Sequence, residues 1–510
     1  MRLAKRIIKV TIWTVVGLYL AAVVMVRMPS VQQWLGDRVA AAIGGKLGTK
    51  VTVEKVRLGL MNRLVVDGIN VYDQQGCLMA SASRMAARLD VMQLIGDGRV
   101  LVSSAQVFGF KGVFYQKDSR SKPNFQFVLD SLASKDKKKK TDIELSVNSL
   151  IIRHGSVKFD RYDIPATPSR FNTAHMDVSD ISAHIIIPYY TADSAAISLK
   201  KLSLKEASGL NLRKLCFSLE YDAQHALLTD FNLSLPGTDV NIDYLEARFK
   251  SRNGKPDMQT LSYQGSMRQS SITPADLACF IPKLKAFTTP LQINATVNGT
   301  SKQTYIRDAG IHAADGGVSL KGHGWLAHTG RSLAWGAEID KFDCKAVSIM
   351  QTVSKMPEAN GKLQETLASL GDITLNGSMG GAGNSLHAEG TLACGIGRAD
   401  FRFKRDGKHI DAHVDTDGLD IGRLTGNDKL GMLAATTSIN CSYSGKSITG
   451  IRVDGKFPRI DYNGYPYTNI TAKGIYDKTS FNGTLAMDDP TGKSASAATY
   501  SWEATPIQPD

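Results

Sequence analysis

The chain has 510 residues, enough for two to four compact domains, because a single core rarely grows beyond about 250–300 residues. Its hydrophobic content of 43% and charged content of 21% are close to globular averages and exclude a wholly disordered chain. The 61 Lys+Arg against 48 Asp+Glu give a net charge of +13, which favours anionic partners such as membrane lipid or nucleic acid without choosing between them.

The chain begins with a basic segment followed by an uncharged apolar run, and it leaves this run through Arg27 and Pro29. The run is about as long as a helix that crosses a hydrocarbon core, and no small-x-small site for signal-peptide cleavage follows it. We predict a basic cytoplasmic end and an uncleaved single-pass anchor in residues 1–29. The positive-inside rule places the N-terminus in the cytoplasm and the bulk of the chain across the inner membrane, in a bacterial periplasm. The residues predicted to form the anchor are Ile7, Ile8, Val10, Ile12, Trp13, Val15, Val16, Leu18, Tyr19, Leu20, Val23, Val24, Met25 and Val26.

Residues 30–48 carry apolar side chains at helical spacing after Ser30, which predicts an amphipathic helix with Ser30 as its cap. This helix either lies on the membrane surface or plugs the beginning of the next fold.

From residue 49 onward, apolar and polar residues alternate in runs separated by Gly-containing turns. Because successive strand side chains face opposite sides, this pattern predicts an all-β, antiparallel fold with few short helices. Helices or helical insertions are predicted at Val91–Ile95, Asn124–Ala133, Pro274–Phe287 and Ala346–Leu370.

The predicted helices are too few to cover the apolar faces of so many strands. Two sheets could pack face to face, or one long sheet could curl into a trough whose apolar face is left for a ligand. Strand parity then selects the candidates for lining such a groove, which are Leu215, Phe217, Leu219, Phe231, Leu233, Ile293, Val297, Phe401, Phe403, Ile410 and Val414.

No catalytic, cofactor-binding or metal site is predicted. His409, Asp411, His413 and Asp415 alternate with apolar residues, so they are expected on the polar face of a strand, too far apart to chelate one ion. The six Cys are widely spaced and form no CxxC pair. Gly377, Gly380, Gly381 and Gly383 are interpreted as a hairpin loop. Basic residues are scattered without stacking aromatics, which does not favour a nucleic-acid partner.

Several segments, in this order, carry a family resemblance: MPSVQQWLGDRVAAAIGGKLGTKVTVEKVRLG, LDVMQLIGDGRVLVSSAQVFG, SSITPADLACFIPKL, LQINATVNGT, GDITLNGSMGGAGNSLHAEGTLACGIGRADFRF and GYPYTNITAKGIYDKTSFNGTLAMDDP. They resemble TamB proteins of the AsmA-like superfamily, in the form found in Bacteroidetes. The resemblance covers about residues 1–490.

This resemblance implies an inner-membrane protein for outer-membrane biogenesis whose periplasmic part is an elongated β-taco, a sheet curled around an apolar groove. Residues 49–140 would be the N-terminal AsmA-like β region and residues 141–490 the groove. The implied partners are phospholipid acyl chains, a TamA-like outer-membrane barrel and outer-membrane protein clients. Family members usually continue much further, so residues 491–510 are expected to be an irregular tail at a truncation point. The chain would then be a fragment, a truncated reading frame or a shortened homologue.

Three functions remain open at this stage. A lipid-conducting bridge between the two membranes predicts a continuous apolar lining. A translocation and assembly scaffold for outer-membrane proteins and protein secretion predicts client contacts along a sheet edge. An anchored structural β-rod predicts strands closed by their own side chains.

Overall fold

The computed structural model describes residues 13–14, 17, 24–25, 28–59, 63–89, 100–133, 143–144, 148–191, 194–252, 255–329, 332–354, 361–444, 447–477, 480–488 and 495–503. Most of them lie in strands of one large, mostly antiparallel sheet, which confirms the predicted β-structure with few helices. The chain divides into two compact units. Unit 1 comprises Met1–Asp239 and Asp276–Pro282, and unit 2 comprises Val240–Ala275 and Lys283–Asp510.

Most of the predicted membrane anchor lies outside the described residues. Of its candidate residues only Trp13, Val24 and Met25 are described, and all three are helical and exposed. Within the described part of the chain, no helix is long and apolar enough to cross a membrane. The lysine-rich segment KDKKKK at residues 135–140 and the predicted helix Val91–Ile95 also lie outside the described residues.

The described helices are short, apart from the first. They span Pro29–Leu47, Gln126–Ala133, Ala346–Val353, Gly361–Leu370 and Ile421–Thr425, with 3₁₀ turns at Pro274–Leu277 and Pro282–Ala286. The first helix begins at Pro29, and its cap residue is Met28, so the prediction of Ser30 as the cap is wrong. Proline favours the first helical position because its fixed φ suits the helix and its missing N–H would be unpaired there.

Unit 1 is built from strands β1 to β11. Their bounds are β1 Val51–Gly59, β2 Arg63–Tyr72, β3 Leu78–Leu89, β4 Val100–Phe108, β5 Lys111–Gln116, β6 Ile143–Glu144, β7 Ser149–Arg161, β8 His175–Tyr190, β9 Ala195–Glu206, β10 Asn211–Tyr221 and β11 His225–Ser234. Strands β1 to β3 pair antiparallel in order, and β3 pairs antiparallel with both β4 and β5. Strand β7 pairs parallel with β4 and β5, and β6 pairs parallel with β4. From β7 to β11 each strand again pairs antiparallel with the next. Parallel pairing needs a crossover connection, and the helix Gln126–Ala133 lies in that connection.

The helix Pro29–Leu47 covers the beginning of the sheet in unit 1. Its side chains Ile43 and Leu47 pack against a buried cluster of Val51, Ile69 and Ala82. Gly48 adopts φ 69° and ends the helix, so the chain turns directly into β1. The apolar face of the first strands is therefore closed by a helix.

Unit 2 contains strands β12 to β26, and from β13 onward each strand pairs antiparallel with the next. Their bounds are β12 Asp239–Arg252, β13 Lys255–Ile272, β14 Leu291–Thr300, β15 Gln303–Ala313, β16 Val318–Thr329, β17 Ser332–Cys344, β18 Ile373–Ala382, β19 Ser385–Cys394, β20 Gly397–Asp406, β21 His409–Asp420, β22 Leu430–Ser444, β23 Ser447–Tyr462, β24 Tyr465–Asp477, β25 Ser480–Asp488 and β26 Ala495–Glu503.

Two predictions about unit 2 are wrong. Residues 491–510 were expected to be irregular, but Ala495–Glu503 forms a strand that pairs with β25 along its length. Its many small residues, ASAATYSWE, weaken the alternation on which the prediction depended. Gly377, Gly380 and Gly381 lie inside β18, and of the four predicted loop glycines Gly383 alone lies in the hairpin turn. A side chain at residue 381 would come within 3.3 Å of the Trp335 indole nitrogen on β17.

Candidate functional site

A row of directly opposed apolar residues crosses unit 2, with one residue from each strand from β13 to β25. Directly opposed residues of antiparallel neighbours point to the same face of a sheet. The row, which we call the central apolar row, is Gly265, Val297, Ile306, Gly324, Ala337, Met379, Ala388, Phe403, Ala412, Ile439, Val453, Gly474 and Gly483.

Two flanking rows lie on the same face, two residues away along each strand, or three residues away at the bulge in β15. One runs through Tyr263, Gly299, Thr304, Leu326, Trp335, Gly381, Leu386, Arg405, Ile410, Cys441, Ile451 and Tyr476. The other runs through Ala309, Gly322, Ile339, Gly377, Gly390, Phe401, Val414, Thr437, Gly455, Ala472 and Leu485. The three rows together are the apolar face of unit 2.

The opposite face of the same strands is polar. One residue from each of β16 to β25 forms the polar row, which is His323, Glu338, Ser378, Glu389, Arg402, His413, Ser438, Asp454, Lys473 and Thr484. Charges of opposite sign are neighbours here, with Arg402 3.2 Å from Glu389 and Lys473 3.2 Å from Asp454. Exposed ion pairs of this kind stabilise a protein by only about 0–1 kcal/mol each. This face is therefore in contact with solvent and is not part of a packed core.

The apolar face is only partly covered. No residue of the central apolar row except Gly265 is buried, and Ile439 is 37% exposed. In the flanking rows Leu326, Val414 and Leu485 are exposed by 38%, 36% and 43%. The opposite face also carries exposed aromatic side chains, and two of them, Tyr305 and Trp325, are direct cross-strand partners. Contiguous exposed apolar surface is a common feature of interaction sites.

A hollow interrupts this face where two glycines oppose each other. Gly474 on β24 and Gly483 on β25 are direct partners, and they line a cavity of about 380 Å³ with Ile451, Val453, Ala472, Tyr476 and Leu485. Lys473 and Thr484 also line it, although their register places them on the polar face. The volume lies at the lower end of the range for small-molecule sites, about 300–1,000 Å³.

Unit 1 has an apolar row of its own, which crosses β1, β2, β3, β4, β7, β8, β9, β10 and β11. Its members are Val56, Val66, Met85, Val107, Ile152, Ala183, Leu202, Leu215 and Leu233. Near β1 the row is covered by other parts of the protein, since Val56 is only 1% exposed. Leu215 and Leu233 at the other end are half-buried.

The residues predicted to line a groove fall on these faces. In unit 1, Leu215 opposes Leu233, and Leu219 opposes Leu228. Phe217 opposes Leu199 of the preceding strand, and Phe231 lies two residues before Leu233. All of these predicted residues are half-buried.

The predicted residues of unit 2, except Ile293, belong to the three rows of its apolar face. Val297 and Phe403 belong to the central apolar row, and Phe401 directly opposes Val414. Ile293 is four residues before Val297 on β14, and Ile410 opposes Arg405. Val414 is exposed and the others are half-buried.

Sequence reasoning missed several residues of the apolar face. Ile439 and Val453 alternate with polar residues as clearly as the selected positions do, so the same parity argument could have included them. Trp335 lies between Ala334 and Gly336 and has no such alternation. The hollow at Gly474 and Gly483 has no comparable signal, because it depends on which residue of one strand opposes which residue of the next.

The histidines and aspartates of β21 lie on the polar side of the sheet, as their alternation indicates. His409 and His413 contact the hydroxyls of Ser442 and Ser438, each at 2.9 Å, and Asp411 accepts a hydrogen bond from Asn440. Within the residues that the structure describes, no group of three or more His, Cys, Asp or Glu side chains is arranged to hold a metal ion.

Two cysteines and one aspartate are buried away from the apolar face of unit 2. Burial raises the pKa of the Cys279 and Cys344 thiols, so both favour the neutral form. Burial also acts to raise the pKa of Asp67, but hydrogen bonds and charge from Arg84, at 2.8 Å, and Arg57, at 2.6 Å, outweigh it and lower that pKa. These groups stabilise local structure.

Comparison with known proteins adds no relative. No family model matches this chain, and no curated protein matches it.

Proposed function

We propose that this protein conducts phospholipid along the apolar face of its sheet, between an inner and an outer membrane, as the resemblance to TamB and AsmA-like proteins implies. The observation that supports the proposal is the central apolar row of unit 2, which continues through thirteen strands, β13 to β25, without a polar or charged residue. In the proposed arrangement the sheet curls around this face as a β-taco, and residues 1–29 anchor it in the inner membrane.

Such a face binds lipid without any catalytic residue. Each acyl CH₂ removed from water contributes about 0.8 kcal/mol, and the contribution does not depend on direction. A row of uniform apolar character therefore offers a chain many positions of similar free energy. Movement between such positions requires no bond to be broken, and selectivity for acyl chains can stay broad.

The test places a charge on either face at residues of two neighbouring strands. Leu485→Asp introduces a carboxylate on the apolar face, beside the hollow, whereas Thr471→Asp introduces one on the opposite face, next to Lys456 and outside the lining of the hollow. Both residues are exposed, so neither change is expected to alter stability by more than about 0.5 kcal/mol. The full chain is purified in a maltoside detergent, and retained phospholipid is counted by mass spectrometry.

We expect Leu485→Asp to retain several-fold less phospholipid than the wild type and Thr471→Asp to match the wild type. Lipid held around the membrane anchor contributes equally to both variants and cancels in the comparison. Equal retention by all three proteins would refute conduction along this face. Protein clients crosslinked along a strand edge, together with equal lipid retention, would instead favour the assembly role with a TamA-like barrel.

A further inference from the structure

One charged residue interrupts the apolar face of unit 2. Among the residues of its three rows, Arg405 alone carries a charge, and it lies between Leu386 on β19 and Ile410 on β21. Its side chain is exposed, and it is the last residue but one of β20, so it lies at the border of the face next to a hairpin turn.

The contacts of Arg405 orient its guanidinium without neutralising it. The guanidinium lies 5.5 Å from the centre of the Tyr443 ring, and Arg405 Nε donates to the carbonyl oxygen of Gly407 at 3.4 Å. The Tyr443 hydroxyl donates to the same carbonyl oxygen at 2.9 Å. Within the described part of the chain, no carboxylate lies within 4.0 Å of its nitrogen atoms, whereas Arg402 on the same strand pairs with Glu389.

An arginine in this position is suited to a phosphate. Its guanidinium is always charged, is weakly hydrated and presents N–H donors in a planar fork that fits two phosphate oxygens. The aromatic ring beside it reduces the conformational freedom that binding would otherwise remove. The apolar neighbours Leu386 and Ile410 leave the guanidinium without a protein anion, so a ligand anion would meet little competition.

We propose that Arg405 binds the phosphate of a phospholipid whose acyl chains lie on the apolar face. This inference rests on the proposed function, and it adds the recognition of the headgroup. The occupant must be amphipathic, because the one charged residue of the three rows lies between the apolar residues Leu386 and Ile410 of its own row and borders the central apolar row at Phe403. A diacylglycerol would contact only the apolar rows, and inorganic phosphate would contact only Arg405.

The experiment separates these ligands with the full chain in a maltoside detergent, which carries no phosphate. Fluorescent phosphatidic acid and the diacylglycerol with the same acyl chains are titrated at fixed detergent concentration. The proteins are the wild type, Arg405→Gln, Arg405→Lys and the control Arg402→Gln, which removes an arginine of the same strand from the opposite face. Inorganic phosphate at millimolar concentration serves as the competitor.

We expect Arg405→Gln to weaken phosphatidic acid binding at least tenfold and to leave diacylglycerol binding unchanged. Arg405→Lys should recover part of the loss, because it keeps the charge but loses the fork. Arg402→Gln should bind both lipids like the wild type, and inorganic phosphate should not compete.

Equal phosphatidic acid binding by Arg405→Gln and wild type would overturn the inference while leaving the proposed function intact. So would displacement of phosphatidic acid by millimolar phosphate, since the anion alone would then suffice. A wild type that binds neither lipid would overturn the proposed function itself, and the inference with it.

Discussion

Gly474 and Gly483 lie directly opposite each other on β24 and β25, and their missing side chains leave the hollow of about 380 Å³ in the apolar face. In a packed core an empty space of this size would be destabilising, because its lining loses contact partners. On an open apolar face it is instead a depression in which a chain of methylene groups gains contacts on several sides. If the protein conducts lipid as proposed, this depression is expected to be a preferred position for an acyl chain.

Filling the hollow should reduce lipid binding without unfolding the protein. Gly474→Leu places a side chain in the depression, and we expect several-fold less retained phospholipid per chain by mass spectrometry. Gly450→Leu is the matched control on the opposite face of β23, where an added Cβ meets only the backbone oxygen of Tyr476 at 3.6 Å. Retention that falls equally in both variants, or in neither, would show that the hollow holds no lipid.

The buried carboxylate of Asp67 should make unit 1 sensitive to acid. Asp67 is 6% exposed and is held between Arg57 and Arg84. Because its pKa is lower in the folded protein than in the unfolded chain, the stabilisation is present above about pH 4 and is lost as the pH falls through the folded pKa. We expect Asp67→Asn to cost about 2 kcal/mol at pH 7 and much less at pH 3, by urea unfolding.

Asp180→Asn provides the control for this measurement. Asp180 pairs with Lys205 at 2.9 Å, but both side chains are more than half exposed, so the pair should contribute about 0–1 kcal/mol. Equal losses in the two variants would contradict the assigned role of Asp67.

His175 should titrate above the ordinary histidine pKa. Its Nδ1 lies 3.0 Å from the Asp160 carboxylate and its Nε2 lies 2.6 Å from the Ile164 carbonyl oxygen, so both ring nitrogens face acceptors. The hydrogen bond to Asp160, followed by the one to Ile164, raises the pKa of His175, and nearby Lys158 opposes them. Only the protonated ring can donate to both oxygens at once.

A raised pKa means that the protonated ring stabilises the loop between β7 and β8. That stabilisation is fully present below about pH 6.5, the ordinary value, and is lost as the pH rises through the folded pKa. NMR titration of the ring protons checks this, and Asp160→Asn should bring the midpoint down. A midpoint at or below the ordinary value in the wild type would contradict the geometry.

Much of the fold follows from alternation in the sequence. Residues such as Phe401 and Phe403 alternate with Arg402 and Lys404, and this period of two suffices to predict a strand with one apolar face. The alternation also places Phe401 and Val414 on the same side before their pairing is known. The register between neighbouring strands does not follow from alternation, because it depends on where each turn is made. For that reason the opposition of Gly474 to Gly483, and the place of Arg405 beside Leu386, could not be predicted.

The weakest sequence predictions concern small residues. Glycine carries no hydropathy signal, so Gly377, Gly380 and Gly381 resembled a loop although they are strand residues that face close neighbours. Likewise, Ala495–Glu503 pairs as a strand with few large apolar residues of its own. In both cases cross-strand pairing, a tertiary property, overrides the local signal.

The central claim, that the apolar face of unit 2 carries lipid, is tested most directly by a photocrosslinking amino acid in living cells. Benzoylphenylalanine is placed at residue 439, where Ile439 belongs to the central apolar row and is 37% exposed, or at residue 440, where exposed Asn440 faces the opposite side. After irradiation of a bacterial host, intact mass measurement of the purified full chain should show phospholipid adducts at residue 439 and none at residue 440. Adducts at neither residue, or equal adducts at both, would contradict the account.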